Sequence, residues 1–265
     1  MIPLDYHMHS RFSEDGQDHP IEMCRRAIEL GLPEIGFSEH WDVGPYEEHP
    51  RFFKPEAWFG ELERLRLLFA GQLTIRAGIE IAEPHLYPKE TTEVLGLCPF
   101  DYVLGSVHFV GPHFMFDEKY FRAHPADEVY GFYFDEVEKL VATADIDIVA
   151  HLDVPVRTAK PILGFDPSRY KDQIRNLLRM IIERGLALDI NVAGLRKAAQ
   201  NLMPDPVILG WYHELGGERV TLGSDAHETN QVALHLDRAL EALQAVGITN
   251  VTQYIQRQAT LLPLE

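Results

Sequence analysis

"RVTLGSDAH", residues 219–227, carries Val220, Thr221 and Leu222 through Gly223 to Asp225 and His227. A short β-favouring run that ends in an acid and an imidazole reads as a buried strand with chemistry at its C-terminal end. The same pattern recurs along the chain. Strands are expected at "PLDYHMH" (3–9), "EIGFSEH" (34–40), "LTIRAGIEI" (73–81), "DYVLGSVHF" (101–109), "IDIVAHLD" (146–153) and "LALDINV" (186–192), with 219–227 as the seventh. Near the ends of six of the seven stand His7 and His9, His40, Glu80, His108, His151, and Asp225 with His227. Alternate side chains of a strand share a face, so His7 and His9 face one way and Tyr6 and Met8 the other. In an open doubly wound sheet these polar ends would be spread across its width; in an α/β barrel they converge on one mouth. The expected fold is therefore an α/β barrel with seven βα units.

Amphipathic helical patterns separate the strands: "PIEMCRRAIELG" (20–31), "PEAWFGELERLRLLFAG" (55–71), "PSRYKDQIRNLLRMIIERG" (167–185) and "QVALHLDRALEALQAVG" (231–247). Proline near the start and Gly31, Gly71 or Gly185 at the end follow the start-and-stop asymmetry of helices. The segment 110–135 is long and aromatic and is expected to cover the barrel mouth. No repeat or linker divides the 265 residues, so residues 1–265 are read as a single domain. No apolar run approaches the ~18 residues of a membrane span, and "MIPLDYHMHS" lacks a signal-peptide pattern. Only Cys24 and Cys98 occur, which supports neither a disulfide framework nor a thiolate zinc site and points to a reducing cytoplasm. With 24 basic against 41 acidic residues the net charge is −17, which argues against a broad nucleic-acid surface. A small phosphorylated substrate remains compatible, because bound metal ions reverse the local field.

An isolated histidine at a strand end is more often a hydrogen-bonded structural residue than a ligand, and Glu80 alone reads equally as a helix cap. Coincidence at six of seven strands is the weaker explanation. Imidazole with carboxylate and no thiolate suits zinc, iron or manganese. The donors outnumber the needs of one ion, which points to a multinuclear site.

The stretches "DYHMHS", "GFSEH", "GIEI", "GSVHF", "VAHLD", "INVAGLRK" and "LGSDAH", in that order over residues 5–227, resemble the PHP (polymerase and histidinol phosphatase) superfamily of phosphoesterases. Within it the sequence is most similar to the histidinol-phosphate phosphatases. That resemblance implies a distorted (β/α)7 TIM-like barrel with three divalent or transition-metal ions at its mouth. It gives the first ion His7, His9, Glu80 and Asp225, and the second His108 and His151 with Glu80 as bridge. The third takes His40, His227 and the residue six positions beyond His9, which is histidine in many members and Asp15 here. Asp18 and His19 are rival candidates for that last place.

Phosphate recognition needs cations, and Arg157, Arg196 and Lys197 all follow barrel strands on the active face. Asp153 reads either as a carboxylate orienting a ligating histidine or as a helix cap. The resemblance implies metal-dependent hydrolysis of L-histidinol phosphate to L-histidinol and phosphate, a step of histidine biosynthesis. A hydroxide held between two ions at Glu80 would attack phosphorus, with Asp225 and His227 sharing the catalytic metal sites. No nucleophilic serine or cysteine is required. Phe109, Phe116 and Asp117 are candidates for holding the imidazole and ammonium. The alternatives are a PHP phosphoesterase acting on nucleotides or phosphotyrosine peptides, and an inactive regulatory PHP domain. Monomer and homo-oligomer stay open.

Overall fold

The computed structural model describes residues 2–264. Its strands are β1 (Glu34–Trp41), β2 (Thr74–Ala82), β3 (Tyr102–Ser106), β4 (Phe109–Val110), β5 (His113–Phe114), β6 (Ile148–Val149), β7 (Ala187–Asn191), β8 (Val220–Gly223), β9 (Asn250–Ile255) and β10 (Gln258–Pro263). Six of them form a curled parallel sheet in the order β1-β2-β3-β6-β7-β8. Their residues are buried on both faces with few exceptions, as a parallel sheet covered by helices requires.

Residues 5–9 close the gap between the two edges. On one side the amides of Gly36 and Ser38 donate to the carbonyls of Asp5 and Met8. On the other, the amides of Tyr6 and His9 donate to Leu222 and Ala226, and the Asp225 amide donates to His7. The expected first strand is thus present as a seventh stave, though it makes isolated bridges, Asp5 to Ile35 and Met8 to Ala226, instead of a continuous ladder. The result is a distorted TIM-like barrel. Of the other predicted strands, β1 and β2 run one residue further than expected and β3, β6, β7 and β8 end earlier: β3 stops at Ser106 and β8 at Gly223, so His108, Asp225 and His227 lie on the loops just past them.

Helices Pro20–Glu29, Pro55–Leu68, Lys171–Glu183 and Leu236–Val246 match the predicted segments. Three end in the same way, the third at Gly247 (φ 91°), where the Ile248 amide reaches the Leu243 carbonyl. Gly31 and Gly185 adopt φ of 75° and 66°, which lets Leu32 reach the Ala27 carbonyl and Leu186 the Ile181 carbonyl. The barrel interior away from the mouth is filled by Tyr6 stacked on Tyr102, with ring centroids 4.7 Å apart. Gly36 and Gly78 make room for that stack, since a Cβ at either would overlap the Tyr102 ring. Residues 110–135 form the β4–β5 hairpin, the helix Glu118–Ala123 and the start of the helix Ala126–Thr143. The antiparallel β9–β10 pair was not anticipated; it packs beside Tyr6, whose hydroxyl accepts the Tyr254 amide.

Candidate metal centre

Glu80 sits near the end of β2, opposite His40 in the parallel register, and is fully buried. Its two oxygens face different partners. Oε2 lies 3.1 Å from His7 Nε2, 3.4 Å from His9 Nε2 and 3.3 Å from His40 Nδ1. Oε1 lies 3.1 Å from His151 Nε2 and 3.5 Å from His108 Nε2. Asp225 Oδ1 stands 3.6 Å from His9 and 3.5 Å from His227 Nδ1. Asp15 completes the far side, 3.0 Å from His227 Nε2 and 3.7 Å from His40 Nε2. The six imidazoles and three carboxylates expected as ligands therefore meet at one mouth. Asp18 and His19 do not join them: Asp18 accepts the Thr229 amide at 2.6 Å, and His19 caps the helix Pro20–Glu29.

So many imidazoles in one desolvated space cannot all carry protons. Burial opposes charge on His7, yet Glu80, Asp189 and Asp225 hold its pKa well above the usual value. Burial, with His40 and His227 alongside, pushes His9 well below it. Despite burial, His7, His227 and Arg157 hold Asp225 down to about 2. Burial lowers His9, His40 and His151 and favours their neutral forms, while Glu80 and Asp225 stay ionised. The buried His9 Nε2, His40 Nδ1 and His151 Nδ1 have no hydrogen-bond partner among the described residues. Four overlapping trios, His7–Glu80–His151, His7–His9–Asp225, His9–His40–His227 and His40–Asp42–His108, each have ligand atoms within 4.8 Å of one another. This donor set, all nitrogen and oxygen, fits several transition-metal ions.

The backbone is bent to bring the donors in. Asp225 has φ of 53° and His151 of 24°, positions costly for residues with a Cβ and typical of functional turns. Arg196 braces the first of these, donating to the carbonyls of Ser224 and Asp225 at 2.8 Å each. Asp189 on β7, not singled out in the sequence, accepts from His7 Nδ1 at 2.7 Å and so turns Nε2 toward Glu80. Asn191 donates to both Asp189 and Asp225. A side chain at Gly223 would strike His7 and Asp189. Glu83 accepts the amides of His108 and Phe109 and fixes the loop after β3. The signal for Asp189 was available: it stands with Asn191 on one face of an otherwise apolar strand, "LALDINV".

A cavity of about 600 Å³ opens beside the donors, lined by Arg157, Phe109, Phe114 and Phe116 among others. The Arg157 guanidinium lies 4.2 Å from the Phe116 ring centre and 3.7 Å from Asp225 Oδ2. Among the phosphate candidates only Arg157 lines the cavity; Arg196 is turned to the backbone and Lys197 is exposed. Asp153 accepts the Asp205 amide, not a histidine, and Asp117 caps the helix Glu118–Ala123.

The sequence signature described as "PHP domain" matches residues 5–193. The chain belongs to the PHP domain family. As a PHP protein it is similar over nearly its whole length to curated relatives. A probable histidinol-phosphatase of Deinococcus radiodurans is 31% identical, covering 94% of this chain and 95% of that one. A histidinol-phosphatase of Lactococcus lactis is 28% identical, covering 96% and 95%. In fold, this PHP chain superposes on a crystal structure of the L. lactis histidinol phosphate phosphatase in complex with zinc, L-histidinol and phosphate. The TM-score is 0.89 at 24% identity, over 98% of this chain and 99% of that one.

Proposed function

We propose that this PHP protein is a metal-dependent phosphomonoesterase that hydrolyses L-histidinol phosphate to L-histidinol and phosphate, the whole chain acting as one catalytic domain. One observation carries the reaction class: the two oxygens of Glu80 face separate sets of imidazoles, the arrangement a bridging carboxylate needs. The substrate rests on the full-length similarity to proteins named histidinol-phosphatases. His7, His9, Glu80 and Asp225 would hold one ion, Glu80, His108 and His151 a second, and His40, His227 and Asp15 a third; zinc, iron and manganese all suit these donors. When bound, the ions supply an acidified water as nucleophile and positive charge against the phosphoryl oxygens.

The chain's own groups then have defined tasks. Asp189 holds the proton on His7 Nδ1, leaving Nε2 as the donor atom. Arg157, braced on Phe116, presents charged donors to the phosphoryl group, and the aromatic residues after β3 restrict water. Both cysteines are buried free thiols, in keeping with a reducing cytoplasm, and no helix among the described residues is long and apolar enough to cross a membrane. The test is phosphate release from histidinol phosphate, AMP, a dinucleotide and phosphotyrosine. A tenfold or greater kcat/KM preference for histidinol phosphate is expected, about 1.4 kcal/mol of transition-state discrimination. An equal preference for AMP or phosphotyrosine would move the protein to another branch of the family.

A further inference from the structure

The cavity lining holds more charge than the metal centre and phosphate account for. Besides Arg157 and seven of the nine donors, all but His7 and His9, it presents Asp42, Glu47, Glu48 and Glu14, together with the rings of Tyr46, Phe109, Phe114 and Phe116. Glu14 pairs with His49 at 3.2 Å. Asp42 Oδ1 is shut off from solvent with no hydrogen-bond partner among the described residues. Glu47 is half-buried, and the charged groups that act on it most are Asp42 and Glu83, which raise its pKa, and His108 and His40, which lower it. Burial first and Asp42 second push its carboxyl up to about 7. The aromatic residues form a continuous edge beside this loop: Tyr46 to Phe109 at 6.0 Å, Phe109 to Phe114 at 5.0 Å, Phe114 to Phe116 at 4.9 Å.

Carboxylates such as Asp42, Glu47 and Glu48, which make no ion pair with a lysine or arginine among the described residues, next to aromatic faces, are the chemistry that receives an organic cation. A phosphomonoester bound with its phosphoryl group at Arg157 and the metal donors has the rest of a cavity of about 600 Å³ for its alcohol portion. We infer that Glu47, backed by Tyr46 and Phe109, pairs with the cationic alcohol portion of the substrate and is a specificity-determining residue. This rests on the phosphomonoesterase reading above. It adds to it the requirement that the alcohol carry an ammonium or imidazolium group. Asp42 adds to the same field, but it lies within ligand distance of His40 and His108, so Glu47 is the position to test.

The experiment compares parent, Glu47→Gln and Glu47→Asp holoenzymes on histidinol phosphate, phosphoethanolamine, glycerol phosphate and p-nitrophenyl phosphate, with metal content measured on each. In Glu47→Gln, KM for histidinol phosphate should rise about ten- to a hundredfold. Its kcat/KM on the two uncharged alcohols' esters should stay within about twofold and its metal content should match the parent; Glu47→Asp should recover part of the loss. An unchanged KM for histidinol phosphate in Glu47→Gln overturns the inference, as does a parent enzyme with no preference for cationic over uncharged esters. A parent that prefers phosphoethanolamine and loses that preference in Glu47→Gln would sink the histidinol phosphate assignment and leave the cation-binding role of Glu47 standing.

Discussion

Asp189 and His7 meet at 2.7 Å across the closing seam of the barrel, 182 residues apart in the chain. The carboxylate sets the imidazole's tautomer, as assigned from the hydrogen-bond network, and the free ring nitrogen then points at Glu80. Asp189→Asn keeps the shape but removes the charge, and Asp189→Ala removes the contact. Metal affinity should fall about ten- to a hundredfold in the alanine variant, and less in the asparagine variant. Titration against a competing chelator measures this directly; parent-like affinity in Asp189→Ala would mean that packing alone orients His7.

Glu80 and Asp15 should differ in reach. Glu80→Gln is expected to disturb two ions, because both of its oxygens face imidazoles, whereas Asp15→Ala should lower occupancy at one. Elemental analysis of the two variants distinguishes them. Loss of a single ion in Glu80→Gln would deny the bridging role.

The cations near the mouth should separate by function. Arg157→Ala is expected to lower kcat/KM about ten- to a hundredfold with metal content unchanged, the loss of a charge-assisted contact worth roughly 1.5–3 kcal/mol. Arg157→Lys should restore only part of it. Arg196→Ala should act through the strained Asp225 turn, so its loss of activity should come with lower metal occupancy. Lys197→Ala should be silent, since the side chain is exposed and away from the cavity. Inorganic phosphate inhibition provides a second readout: it should weaken in Arg157→Ala and stay parent-like in Lys197→Ala.

The barrel was legible in the sequence because its grammar is local: β-rich runs, helices opened by proline and closed by Gly31 or Gly185, and polar residues at strand ends. What escaped depends on pairing across distance. Asp189 looks like one acid in a strand until the barrel closes and brings His7 against it. The β9–β10 hairpin turns at Gln256 and Arg257, both with positive φ (49° and 64°), without the asparagine or glycine that usually announces such a turn. Arg196 and Lys197 are adjacent in sequence, yet the short helical turn Ala193–Arg196 sends one to the Asp225 backbone and the other to solvent.

The raised carboxyl of Glu47 predicts a pH dependence of stability. Its folded pKa of about 7 exceeds the ordinary 4.5, so the folded state binds the proton more tightly. The group therefore favours folding most at low pH, and that advantage is lost as pH rises from about 4.5 through 7. Glu47→Gln should gain on the metal-free parent over that interval, by on the order of 1 kcal/mol once solvent screening is allowed for. Denaturant unfolding at pH 5 and pH 8 checks it; a constant difference at the two values would remove the effect.

Everything above turns on nine side chains at the barrel mouth holding three ions together. Elemental analysis of protein saturated with zinc or manganese and freed of excess metal tests it most directly. Close to three ions per chain are expected, and a plateau at one would contradict the trinuclear site.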